Sequence, residues 1–173
     1  MSKDSALAVR VTIARVEQTL ADSPAFVRIE PRFYVLRQGT AYVYVQILPW
    51  EPERAVVRFV AQLVRGVEMT PDLALKLLRL NARLRFGAFG YVEQGSCVVL
   101  VHTLLGGETL DADEILAALR DMSVIADEYD DRIVDEVGGQ RMQDLIDASV
   151  ASAFFDDFRD ISILSERADV FDA

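Results

Sequence analysis

Two stretches, "AYVYVQIL" (41–48) and "AVVRFVAQLV" (55–64), limit what this chain can fold into more than any other feature. Both are rich in β-branched and aromatic residues and read as strands. The "PWEPER" between them carries two prolines and reads as a loop. Side chains alternate across a strand, so each run has two faces. One face carries Ala41, Val43, Val45 and Ile47, with Val57, Phe59, Ala61 and Leu63; it is wholly apolar. The other carries Tyr42, Tyr44, Gln46 and Leu48, with Val56, Arg58, Val60, Gln62 and Val64. A sheet with one face in water alternates cleanly between apolar and polar. Here the second face is mixed and aromatic, so it needs cover from another helix, from a second copy of the chain, or from a partner. Tyrosine and arginine among apolar neighbours are also common where one protein grips another.

The flanking sequence supplies helices for the first face. Val9, Ile13, Val16 and Leu20 recur at helical spacing through 5–21, and Asp22-Ser23-Pro24 ends that helix. Residues 26–36 are strand-like but interrupted by Pro31, giving an edge strand or two short pieces. Thr70-Pro71-Asp72 is a helix start: a hydroxyl to receive a free N–H, a proline where no N–H is needed, and an acid at the positive end of the dipole. That helix runs to about residue 83. Residues 86–92 and 96–104 form a hairpin around Glu93-Gln94-Gly95. Asp111, with Glu114 three residues on, caps a long helix whose apolar side includes Ile115, Leu119, Met122 and Ala126. Gly138-Gly139 stops it, and one more helix is expected at about 140–150. The predicted fold is α+β: a five-stranded antiparallel sheet in the order α-β-β-β-α-β-β-α, spanning 1–139, plus a partly helical acidic extension, 140–173.

The 173 residues fit one domain with a tail, and 51% hydrophobic residues suffice for a core. No apolar run approaches the ~18 residues of a membrane span. The first twenty residues have charges spread through them and do not read as a secretory signal. One cysteine suits a reducing compartment, so the expected location is cytoplasmic. The net charge of −10 is uneven: residues 1–107 carry +4 and residues 108–173 carry −14. The second part would repel the closely spaced phosphates of a duplex, which argues against nucleic acid as a partner.

Motifs for chemistry are sparse. His102 and Cys97 lie an odd number of residues apart on one predicted strand, so they face opposite sides and cannot share a metal ion. A hydrolase-type role for His102 would need a nucleophile from another segment. The acidic run "ADEYDDRIVDE" lacks the spacing and glycine of a calcium loop; Asp127, Asp130, Asp131 and Asp135 read as the wet side of a helix. No phosphate-binding glycine motif is present, and no cofactor is expected.

The stretch "FGAFGYVEQGSCVVLVHTLLGGETLDADEILAALRDMSVIADEYDDRI", preceded by Leu80-Asn81, resembles the bacterial YbjN family, which shares its fold with the type III secretion chaperones. The resemblance covers roughly 5–137. Its features are Gly87 and Phe89 opening a strand, Gly95 at the turn, Leu105 and Leu110, and Ala126-Asp127 in the long helix. It implies helices on a curved antiparallel sheet, no enzymatic activity, an acidic surface, frequent homodimerisation, and capture of an extended segment of a partner protein.

Three expectations follow. A partner segment would lie on Tyr42, Tyr44, Val60, Gln62 and Tyr91. A dimer would form through Leu73, Leu77 and Leu80, with Leu75, Leu78 and Leu84 broadening the band. Phe154, Phe155, Phe158 and Ile161, too apolar for a solvated end, would dock on the chain's own sheet.

Overall fold

The computed structural model describes residues 3–38, 41–51 and 53–148. Its elements are α1 (Lys3–Leu20), β1 (Phe26–Glu30), β2 (Phe33–Gln38), β3 (Ala41–Pro49), β4 (Ala55–Arg65), α2 (Pro71–Asn81), β5 (Ala88–Val92), β6 (Cys97–Leu105), α3 (Ala112–Val137), β7 (Gln140–Arg141) and α4 (Met142–Ala148). The α+β class is as expected, but the sheet has seven strands rather than five. Two causes account for the difference. Pro31 has no N–H for a ladder and Arg32 takes a φ of 75°, so the first expected strand breaks into β1 and β2. Residues 140–141, read as helix, instead pair briefly with β4.

Every pairing is antiparallel, in the spatial order β1-β2-β3-β4-β6-β5, with β7 on β4. The first face carries the main core. Val43, Val45, Ile47, Val57, Phe59 and Ala61 are sealed there beneath Val9, Val16 and Leu20 of α1 and Ile115, Leu119, Met122 and Ala126 of α3. The helix starts form as their sequences require. Thr70 Oγ1 accepts from the Leu73 N–H at 3.2 Å, and Asp111 Oδ1 accepts from the N–H groups of Asp113 (2.7 Å) and Glu114 (3.2 Å).

A bulge changes the reading of β4. Gln62 pairs with Val99 and Val64 with Val98, so Leu63 is an extra residue and Val64 turns to the first face, where it is buried in the main core. The strand's mixed face therefore ends at Gln62.

The same end of β4 receives the chain after α3. Gly138 ends that helix, its N–H donating to Val134 O at 2.9 Å. Gly138 and Gly139 have φ of 74° and 102°, conformations that favour glycine. At Gly139 a Cβ would also stand 2.7 Å from Val64 Cγ1 and 2.8 Å from the Arg65 carbonyl oxygen. The chain thus passes tightly against β4. Val64 then pairs with Arg141 and Arg65 with Gln140, and α4 is delivered to the second face of the sheet.

Candidate partner-binding face

The second face is built by register. Tyr44 lies between Val35 of β2 and Val60 of β4; Val60 lies opposite Val101 of β6; Gln62 lies opposite Val99. Directly opposed residues in an antiparallel pair share a face. Phe33 stacks on Tyr44 with ring centroids 5.9 Å apart. Phe33, Val35, Tyr44, Val60, Cys97 and Val99 form a buried cluster, and the side chain that closes it is Met142 of α4, with Leu145 packed beside it. The cover demanded by the sequence of β3 and β4 comes, in this structure, from the chain's own last described helix.

That cover is partial. Tyr44, Val60 and Gln62 are buried, and Tyr42 is half-buried at the rim with the Arg37 guanidinium 5.5 Å from its ring centre. Farther along the same face, Leu48 and Val56 are half-buried, Thr103 is exposed, and Leu105, opposite Val56, is 57% exposed. The face therefore has a closed half under α4 and an open half toward the loop joining β3 to β4.

Polar groups in the closed half are few. Burial pushes the Tyr44 phenol far above its ordinary range, so it is neutral; toward the open half, opposite Thr103, burial holds the half-buried Arg58 guanidinium below its usual value. Gln62 is only 4% exposed, and its Oε1 has no hydrogen-bond partner among the described residues. Such an acceptor is unfavourable when buried alone and ready for an N–H from outside. The face can thus grip apolar side chains and fix one donor.

Tyr91 is not part of this surface. It pairs with Val98, whose side chain is in the main core, and its hydroxyl donates to Val67 O at 3.1 Å. It stands at the β5 edge on the helix side of the sheet.

The α2 leucines divide differently from expectation. Leu73 and Leu77 are buried in the chain's own core and Leu80 is half-buried against it. Leu75, at 46% exposure, and Leu78, at 64%, are the leucines that α2 exposes. On the Leu73–Leu77–Leu80 side of the helix, a groove of about 440 Å³ between α2 and α3 has an apolar floor that includes Tyr129 and Ile133, and a rim of Lys76, Arg79, Arg83 and Arg132. Lys76 is ion-paired with Glu136 across it.

His102 points away from Cys97, as their spacing requires: it pairs with Phe59 on the helix side, whereas Cys97 lies in the second cluster. His102 Nδ1 accepts from the Gly87 N–H at 3.2 Å, and Phe86 stands edge-on at 5.6 Å. Burial lowers its pKa, opposed by the charge of Glu114. It is a packed histidine with one nitrogen committed to the backbone. Phe154, Phe155, Phe158 and Ile161 lie outside the described residues.

What sequence reading missed was how soon the chain returns to cover the face. The signal was present in "RMQDLIDAS": Met142 and Leu145, three apart, soon after a double glycine.

Comparison with known proteins agrees with this architecture. A family model, TY-Chap1, described as T3SS (YopN, CesT) and YbjN peptide-binding chaperone 1, matches residues 7–145. Among solved structures, the crystal structure of the ExsC–ExsE complex contains a chain similar in fold. It is 18% identical, with a TM-score of 0.52, and the match covers 77% of this chain and 97% of that one. No curated protein matches.

Proposed function

The chain belongs to the TY-Chap1 family of type III secretion and YbjN peptide-binding chaperones, and we propose that it holds a segment of a partner protein, without catalysis, on the second face of its sheet. Tyr42, Tyr44, Val60 and Gln62 form the grip. The observation that carries this reading is that the face already seats a segment of polypeptide: Met142 and Leu145 of α4 lie in its apolar cluster. Each large apolar anchor buried contributes about 1.5–3 kcal/mol before the costs of association, so a few anchors suffice for micromolar affinity.

The second part's excess of acid argues for protein rather than nucleic acid as the partner. No helix among the described residues is long and apolar enough to cross a membrane. A lone buried thiol at Cys97 fits the cytoplasm. We assign binding to a domain of residues 1–139 and treat 140–173 as an extension that acts on it. The exposure of Leu75 and Leu78 supports a second property, self-association through α2.

The test uses proteins that co-purify from the native host, tiled as short overlapping peptides and titrated against the full chain. Tyr42→Ala combined with Val101→Glu, both at half-buried positions of the face, should weaken the bound peptides at least about tenfold, equivalent to 1.4 kcal/mol. Leu116→Ala, exposed on α3, should leave them unchanged. Peptides that bind both variants equally well would place the partner elsewhere.

A further inference from the structure

We propose that α4 is a displaceable stand-in for the partner segment: it occupies the grip until a segment carrying two large apolar side chains three residues apart, and a hydrogen-bond donor for Gln62, takes its place. This rests on the reading of the second face as the partner site, and it adds what the face prefers and what keeps it closed.

Four observations support it. First, the attachment is slight. Among the described residues of α4, the anchors in the cluster are Met142 and Leu145, two side chains against a floor of six. Second, the fastening outside the cluster is superficial. β7 pairs through two residues, and Arg141 donates to Asp131 of α3 at 2.6 Å and to Asp144 at 2.9 Å, all at the exposed surface. Arg141 grips Asp144 through both carboxylate oxygens, but that contact lies within the returning segment itself; its tie to α3 is the exposed Arg141–Asp131 pair, and an exposed pair contributes little. Third, α4 fits incompletely. With α4 in place, Gln62 Oε1 is buried and without a donor among the described residues. A segment that supplies one makes a contact α4 leaves unmade. Fourth, the face continues past α4. A partner can dock first on Val56, Val101 and Leu105 and then advance over Val60 and Val99 as α4 leaves.

The pattern of the stand-in defines the partner. Met142 and Leu145 project inward while Asp144, between them, is exposed. The matching partner segment is short and amphipathic, with flexible unbranched or γ-branched side chains that adapt to a flat, β-branched floor. Gly138-Gly139 is the pivot, since both conformations there favour glycine and the helix before them ends at Val137.

Cys97, the single cysteine, reports the state of the face. It is 3% exposed in the same cluster as Met142. In the full chain, alkylation of Cys97 by iodoacetamide under native conditions should speed up at least about tenfold when Met142→Asp and Leu145→Asp are combined, as the competent fraction rises. Arg141→Glu, which breaks the exposed pairs to Asp131 and Asp144, should give a smaller increase. Urea unfolding should stay a single transition in all three proteins. A labelled peptide of residues 140–148 should bind the double variant and bind wild type at least about tenfold more weakly. Equal alkylation rates in all three proteins, or alkylation only at the rate of global unfolding, would make α4 a fixed part of the fold; the inference would be lost, while titration with partner peptides could still show binding on the face. Fast alkylation without binding of the 140–148 peptide or of any partner peptide would instead overturn the proposed function.

Discussion

At the scale of single residues, the informative ones are buried polar groups without full satisfaction. Gln62 Oε1 lies under α4 with no donor among the described residues. Gln62→Leu removes that acceptor at nearly constant shape, so it should stabilise the free protein by about 1 kcal/mol in urea unfolding while weakening partner peptides. A stabilised variant with unchanged peptide affinity would show that the amide makes no contact with the partner. His102 gives a pH prediction. Burial lowers its folded pKa below the ordinary 6.5, with Glu114 acting in the opposite direction. The unfolded chain therefore takes up the proton first. The fold should lose stability as pH falls through 6.5 toward the folded value, and His102→Gln should remove that part of the slope when unfolding is followed across the window. Residue-scale reading of the sequence succeeded where the chemistry is local. Thr70 and Asp111 cap their helices because an oxygen at that place meets N–H groups two or three residues on. It did not place Tyr91. Alternation fixes which residues of one strand share a face, but the faces of two strands are related only by register, and pairing with Val98 puts Tyr91 on the helix side.

At the scale of elements, α2 shows what a leucine-rich helix leaves open. The stripe Leu73, Leu77, Leu80 is legible from spacing, but spacing does not say whether the stripe faces the chain's own core or another copy. The structure turns it inward and leaves Leu75 and Leu78 out. Leu77→Ala should then cost about 2–5 kcal/mol of stability, and Leu78→Ala less than about 0.5 kcal/mol, in the same unfolding assay. Equal costs would contradict the inward placement. α4 was harder to read because its position depends on a pivot. Burying Met142 and Leu145 is worth at most about 1.5–3 kcal/mol each, while ordering each backbone residue costs about 1–2 kcal/mol. For an element with two described anchors these contributions are of similar size, so geometry at the pivot matters. Gly139→Val would force a side chain to within 2.7 Å of Val64 Cγ1 at a φ of 102°. It should release α4, with faster Cys97 alkylation and little loss of the main core. Alkylation at the wild-type rate would mean the pivot yields without moving the helix.

At the scale of the molecule, charge and the exposed leucines act against each other. Each copy carries −10, so two copies repel at long range. The region proposed for close approach is α2, where Leu75 and Leu78 are exposed. A dimer there would be held by apolar burial and opposed by net charge. Screening shortens the reach of that repulsion to about 8 Å at physiological ionic strength and about 3 Å at 1 M. Self-association should therefore strengthen as salt is raised, the opposite of an interface held by ion pairs. Sedimentation at micromolar concentration, in low and in high salt, should show the dimer fraction growing with salt. Leu75→Glu combined with Leu78→Glu should leave a monomer in both, since it adds charge to the one apolar contact. A dimer that dissociates on adding salt would assign the contact to charged groups instead, and a monomer under all conditions would leave α2 as a surface for other chains.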